Sequence, residues 1–349
     1  MNKNRFLVVG ATGHVGSKIA ILLADKGYDV TGLVRTDGAT IRDPHPGMIR
    51  YVTGDLSHAE SITKAVEGID VVISTANGII PQKRSDTAGS VNEHALRLID
   101  ICEQAGVRRF VQSSTPSYPG EHRVPELAGK RQLEQRLQAS TMQSIVVRNA
   151  AFMDVFLVMG GFKQATDRSA HATVNRNYGF TKLWGSLTGN LVEKRGLFLA
   201  PGGAGHGTPI IATRDVAEMI VGAALYPGTD DLLIEAGGPQ WLTWRQIADT
   251  IATKTGREKV RIIPIPARLA RLNQTLARPF SASAASVFAL MGFVAEYQPH
   301  WDSADTVHQL GLPTQLTVAD YLDLNYQSDA RVRQPDGRPA MTGETPSVN

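Results

Sequence analysis

Phe6-Leu-Val-Val-Gly10-Ala-Thr-Gly13-His-Val-Gly16 opens the chain, and the apolar run Ile19 to Leu23 follows it directly. A short β-branched run reads as a buried strand, glycines three residues apart make a tight turn, and helical apolar periodicity begins at once afterwards. The stretch therefore predicts strand, turn and helix. Glycines let a ligand approach the backbone, and the N–H groups and dipole of the helix behind them favour negative charge. Gly10, Thr12, Gly13, His14, Val15 and Gly16 are thus candidate pyrophosphate contacts of a dinucleotide. The plain alternative, an ordinary glycine-containing turn, is weakened by position, because the motif follows the first strand and opens the first helix.

Working outward, Tyr28 to Val34 reads as a second strand ending in Arg35. The tip of this strand faces the adenosine ribose in a dinucleotide unit, where an acid selects the 2′-hydroxyl and a cation suits a 2′-phosphate. Arg35 therefore points to NADP(H) in preference to NAD(H), against the reading of a solvated surface arginine. Ile49 to Thr53 is a third strand, followed by Gly54-Asp55-Leu56. Asp55 is placed either to accept from the adenine amino group, with Leu56 beside it, or to form a turn before the helix Ser57 to Val66. The apolar strand Val71 to Ser74 runs into Thr75-Ala76-Asn77-Gly78, small residues against which a cofactor can lie.

A helix over residues 86–105, a strand Phe110 to Gln112, a helix Pro125 to Ser140 and a strand Ser144 to Val147 continue the alternation. Such regularity predicts an α/β fold, a doubly wound parallel Rossmann sheet over residues 1–150. Residues 151–328 form a smaller C-terminal α+β substrate lobe that returns a helix (213–225) and a strand (232–235) to the core. Thr213 is expected to cap that helix, and Gly202 to Gly207 to be a flexible connection. Helical residues 268–296, broken at Pro279, cover the core or form a dimer face, so a monomer or a homodimer is expected. The polar tail 329–349 is expected to be disordered.

The totals narrow the function classes. A chain of 349 residues with 36 Lys and Arg against 33 Asp and Glu has a formal net charge of only +3, and no basic run suggests a nucleic-acid stripe. No apolar run reaches the length of a membrane span, and Met1 to Arg5 leave little room for a leader before the first strand. The single Cys102 excludes an internal disulfide. Together these features predict a cytoplasmic protein with no nucleic-acid partner. No metal-ligand spacing was found.

The motifs together resemble the atypical, NmrA-like members of the short-chain dehydrogenase/reductase superfamily over about residues 5 to 325. The glycine loop, Leu33-Val-Arg35, Gly54-Asp55-Leu56, Val147-Arg148 with Phe152-Met153, Thr213-Arg-Asp215-Val-Ala217 and Gly237-Gly-Pro239 carry the resemblance. In catalytic members a Tyr-x-x-x-Lys pair on one helix face works with a hydroxyl residue at the end of the fifth strand. By that match Lys130 is the lysine, a cofactor contact as well as a catalytic candidate, and Ser114 is the hydroxyl residue. The tyrosine position holds Glu126. Tyr118, after the fifth strand, is the substitute donor, unless it merely closes a turn, and Lys130 is otherwise a solvated helical lysine. The resemblance implies an NADPH-dependent oxidoreductase acting on a small hydrophobic acceptor of quinone or enone type. Its alternative is a catalytically silent NADP(H)-binding sensor or regulatory or assembly protein. Phe152, Met153, Phe156 and Phe180 are candidate walls of the acceptor pocket.

Overall fold

The structure, a computed structural model, describes residues 4–35, 47–76, 88–167, 172–173, 179–298, 300–301 and 303–326. The tail expected to be disordered lies outside these. The first half runs β1 (Arg5–Val9), α1 (His14–Asp25), β2 (Asp29–Val34), β3 (Ile49–Thr53), α2 (Ala59–Val66), β4 (Val71–Ser74), α3 (Ala88–Gln104), β5 (Arg109–Ser114), α4 (Pro125–Gln138) and β6 (Gln143–Asn149). The second half adds β7 (Ala151–Phe152), α5 (Met153–Met159), α6 (Gly179–Thr188), α7 (Leu191–Arg195), β8 (Leu197–Pro201), β9 (Gly207–Ile211), α8 (Thr213–Ala224) and β10 (Leu232–Ala236). It ends with β11 (Trp241–Thr243), α9 (Trp244–Thr255), β12 (Arg261–Ile265), α10 (Ala267–Ala277), α11 (Ala282–Glu296), α12 (Ala304–Gln309) and α13 (Val318–Asn325).

Seven strands form one parallel sheet in the order β10-β6-β5-β4-β1-β2-β3. Chain order reverses between β1 and β4, which puts the crevice for a ligand at the carboxyl ends of those two strands. Alternate residues of each strand serve opposite faces. Phe6 and Val8 of β1 pack with Val15, Ile19, Leu23, Val216 and Ile220 of α1 and α8. Leu7 and Val9 pack with Ile62, Leu98, Ile99 and Leu133 of α2, α3 and α4. Cys102 lies fully buried in that second layer, where desolvation pushes its thiol up to about 12. It is a small core side chain and inert as a nucleophile.

The second half returns α8 and β10 to this frame and otherwise builds its own core around Trp244, Phe162, Phe198 and Ile247. Two small sheets, β11-β9-β7 and β12-β8, hold it together. Residues 202–207, expected as a flexible connection, are instead pinned to α9. Ala204 and His206 accept from the Arg245 and Trp244 amides, and the His206 amide donates to Gly203. The loop thereby satisfies N–H groups that the first turn of a helix leaves without an internal partner.

Candidate functional site

The glycine loop turns as its composition predicts. Gly10 takes φ +84°, in the left-handed region, and its carbonyl accepts from the Gly13 amide at 2.7 Å. A Cβ at Gly10 would stand 2.6 Å from the Thr75 hydroxyl oxygen, and one at Gly16 would collide with the Gly10 carbonyl. Thr75 in turn donates to the Val9 carbonyl at 2.9 Å, tying the end of β4 to the end of β1. Gly13 gives α1 no side-chain cap, and no carboxylate stands in its first turn. Neither device neutralises the positive end of this helix, as suits an anionic ligand. Thr12 lies in the same turn, and Val15 is buried behind it. The cradle fits a dinucleotide.

His14 belongs to the loop by sequence, yet its side chain turns inward and is buried. Its Nδ1 lies 3.3 Å from Asp154 of α5 and its Nε2 lies 3.0 Å from Asp167, which also pairs with Lys18 at 2.9 Å. Thr213 Oγ1 lies 3.3 Å from both His14 Nε2 and Asp167 Oδ2. The expected capping role of Thr213 is therefore corrected: Ala212 is the N-cap, and Thr213 uses its hydroxyl on this buried cluster. Asp154 is fully buried and neither of its oxygens has a hydrogen-bond partner. Desolvation pushes its carboxyl up to about 6, with Asp167 adding to the rise and His14 opposing it. Any contact of His14 with the cofactor thus falls to its backbone.

Arg35 is exposed just beyond β2. Asp55 forms a turn, because its Oδ1 accepts from the amide and hydroxyl of Ser57 at 2.9 and 2.8 Å. Leu56 packs against the core layer of α2 and α3. Asn77 lies outside the described residues. Ala76 brings its carbonyl to the catalytic candidates.

Lys130 sits on α4 with 5% of its surface exposed, so the reading of a solvated helical lysine is corrected. Its Nζ donates to the carbonyls of Ala76 and Ser113, each at 3.1 Å, bridging the ends of β4 and β5. Desolvation pulls it down to about 8, against the opposing pull of Glu134. An ammonium has three donors, and these two carbonyls use two. Below it, Glu134 accepts from Ser114 Oγ at 2.6 Å, from Arg131 at 2.5 Å and from Arg148 at 2.7 Å. The single O–H of Ser114 is therefore committed to Glu134. Asn149 donates through its side-chain amide to Ser113 Oγ at 2.7 Å, while its Oδ1 and Ser74 Oγ are buried without partners.

Glu126 accepts from Ser286 Oγ of α11 at 2.5 Å, and Tyr118 packs on Phe293 of the same helix with ring centroids 5.8 Å apart. Burial, with Glu121 nearby, pushes the Tyr118 phenol up to about 12. A small cavity between α3 and α4 is lined by Ala76, Val91, Asn92, Glu126 and Lys130, among others. The predicted apolar walls lie elsewhere. Met153 is buried in the core of the second half, Phe156 stacks on Trp244 there, and Phe152 packs on the main core. The side chain of Phe180 lies outside the described residues.

Sequence reasoning missed Glu134, Asp154, Asp167, Asn149 and Ser286. Two carried a legible signal. Glu134 stands four residues after Lys130, and Asp154 is a lone acid within an apolar run.

Residues 10–183 match the family described as NAD(P)H-binding. The chain is 27% identical over 273 residues to the NAD(P)H azoreductase of Xenophilus azovorans, covering 77% of this chain and 80% of that one. It is 30% identical over 147 residues to the photosystem II assembly factor Ycf39 of Trieres chinensis, covering 42% and 45% of the two. The chain spans 80% of the length of the azoreductase and 32% of that of a 3-beta-hydroxysteroid dehydrogenase of Mycolicibacterium neoaurum to which it is 31% identical over 121 residues. Its fold matches that of the NADPH-dependent quinone oxidoreductase QOR2 of Escherichia coli with a TM-score of 0.66 at 15% identity, covering 91% and 98% of the two chains. No helix among the described residues is long and apolar enough to cross a membrane. With its glycine cradle and seven-stranded parallel sheet, the chain carries a domain of the NAD(P)H-binding family over residues 10–183.

Proposed function

We propose that the chain is an NADPH-dependent reductase of small hydrophobic acceptors of quinone or enone type. The observation that carries this reading is Lys130, a cation buried where β4 and β5 end and fixed by two backbone carbonyls. Burying an ammonium costs free energy, and a surface helix has no structural need of it there. Its third N–H is the natural donor to a nicotinamide ribose hydroxyl, while Gly10, Gly13 and Gly16 would hold the pyrophosphate and Arg35 a 2′-phosphate. The bound nucleotide supplies a hydride.

The surroundings select the acceptor class. Ser114 spends its proton on Glu134, and Glu126 is tied to Ser286, so neither stands ready as a proton donor to an alkoxide. Reduction of a ketone needs such a donor in the transition state. A quinone does not, because the hydroquinone anion is stabilised by its own aromatic ring and collects a proton from water. Similarity to an azoreductase and to the fold of a quinone oxidoreductase supports the same class. NADPH consumption with a panel of naphthoquinones and enones tests it. Turnover well above that of Lys130→Met is expected, and no turnover above that control defeats the reading.

A second reading, a silent NADP(H)-binding sensor or assembly protein, is favoured by the committed hydroxyl of Ser114 and by similarity to an assembly factor. It predicts NADPH binding without turnover, together with a protein partner whose capture depends on the NADP/NADPH ratio. Capture that ignores the ratio counts against it.

A further inference from the structure

The acid-free stretch between Lys259 and Glu296 carries Arg261, Arg268, Arg271 and Arg278 and no Asp, Glu or Lys. At its centre lies α10, of which Ala270 is the one buried residue. Leu269, Leu272 and Leu276 are 46%, 55% and 60% exposed, and Phe280, just past the helix end, is 90% exposed. At 3.6 residues per turn the three leucines fall within an arc of about 60°, and Ala270 points about 100° or more away from it. Among the described residues α10 packs chiefly on α11, with Gly292 facing Ala270 and Arg271. The leucine stripe thus faces outward by construction. Arg271 pairs with Glu296, while Arg261, Arg268 and Arg278 are exposed.

We infer that the outer face of α10, with Phe280, docks this protein on an anionic lipid surface. An exposed apolar stripe with Arg268 at its border and Arg278 at the helix end two residues before Phe280, over an acid-free segment, is the composition of a helix lying in the membrane interface, with apolar side chains entering the acyl boundary and arginines meeting lipid phosphates. A self-association face would also bury leucines, but stacking a uniformly basic segment on a copy of itself brings like charges together. The helix beneath the stripe, α11, is the one that reaches Glu126 and Tyr118. Docking would set the candidate site beside the phase in which apolar molecules dissolve. The inference does not depend on turnover.

Co-sedimentation of the full chain tests it, with vesicles of phosphatidylcholine alone and of phosphatidylcholine with phosphatidylglycerol at roughly two parts to one. The chain is expected to sediment with the anionic vesicles, less so as salt rises, and to remain in solution with the neutral ones. Leu272→Asp/Leu276→Asp and, separately, Arg268→Glu/Arg278→Glu each weaken that binding about tenfold or more while the melting curve and NADPH binding stay unchanged. Absence of vesicle binding by the unmodified chain overturns the proposal, as does binding by either variant as strong as that of the unmodified chain. A dimer in sedimentation equilibrium that Leu272→Asp/Leu276→Asp splits, without vesicle binding, assigns the face to a second copy and also overturns it.

Discussion

Ser286 of α11 donates a 2.5 Å hydrogen bond to Glu126 of α4, so the start of α4 is tied to a helix from the second half of the chain. The bond is a charge-assisted one between elements 160 residues apart. Ser286→Ala leaves the carboxylate without this partner and is expected to cost about 1.5–3 kcal/mol in urea unfolding. A value near zero would show that α11 is held by its apolar contacts alone.

Buried Asp154 gives stability a pH dependence of known sign. Its carboxyl titrates near 6 in the folded chain and near 3.8 when unfolded. Between these values the folded state holds the proton more tightly, so stability falls as pH rises from about 4 to about 6, and the cost is fully present above that. Asp154→Asn is expected to raise unfolding free energy by about 3 kcal/mol at neutral pH and by little below pH 4. Denaturant melts of both proteins across that range check the prediction. A variant less stable at neutral pH would mean that His14 needs the charge.

Glu134 holds Ser114, Arg131 and Arg148 at once. Removing one partner from a buried ionic network strands the others, so Glu134→Ala is expected to lose about 3 kcal/mol, more than Ser114→Ala. Thermal denaturation of the two variants side by side reads the difference. Equal losses would mean that the arginines find other partners.

Arg35→Asp is expected to shift the NADPH/NADH affinity ratio by about tenfold or more toward NADH, because the exposed cation is exchanged for an acid that favours the 2′-hydroxyl. Calorimetric titration with each nucleotide measures it. An unchanged ratio removes Arg35 from the cofactor site.

The strands and helices of the sheet were legible because burial on two faces forces near-continuous apolar strands, and because glycine punctuates each return. The ends of Trp244–Thr255 are written in its local sequence, since Thr243 and Gln246 form a capping box and Gly256 closes the helix. Long-range polar pairing was not legible. Thr213 looks like a cap from its neighbours, but His14 and Asp167 claim its hydroxyl across 199 and 46 residues. The solvated reading of Lys130 failed for the same reason, since the carbonyls that hold it come from Ser113 in β5 and from Ala76 just past the end of β4. Asp55 was legible only as a choice, and the turn to Ser57 is what the structure displays.

Lys130 is pulled down to about 8 by burial, and the account needs it as the cation that grips the ribose. NADPH affinity is therefore expected to fall as pH rises through about 8, where the ammonium loses its proton. The most direct test of the whole account is NADPH oxidation by a naphthoquinone, compared between the unmodified chain and Lys130→Met with the fold verified by circular dichroism. The account predicts a loss in kcat/KM of about a hundredfold or more, with the pH dependence near 8 abolished. Equal turnover and an unchanged pH profile in Lys130→Met would contradict it.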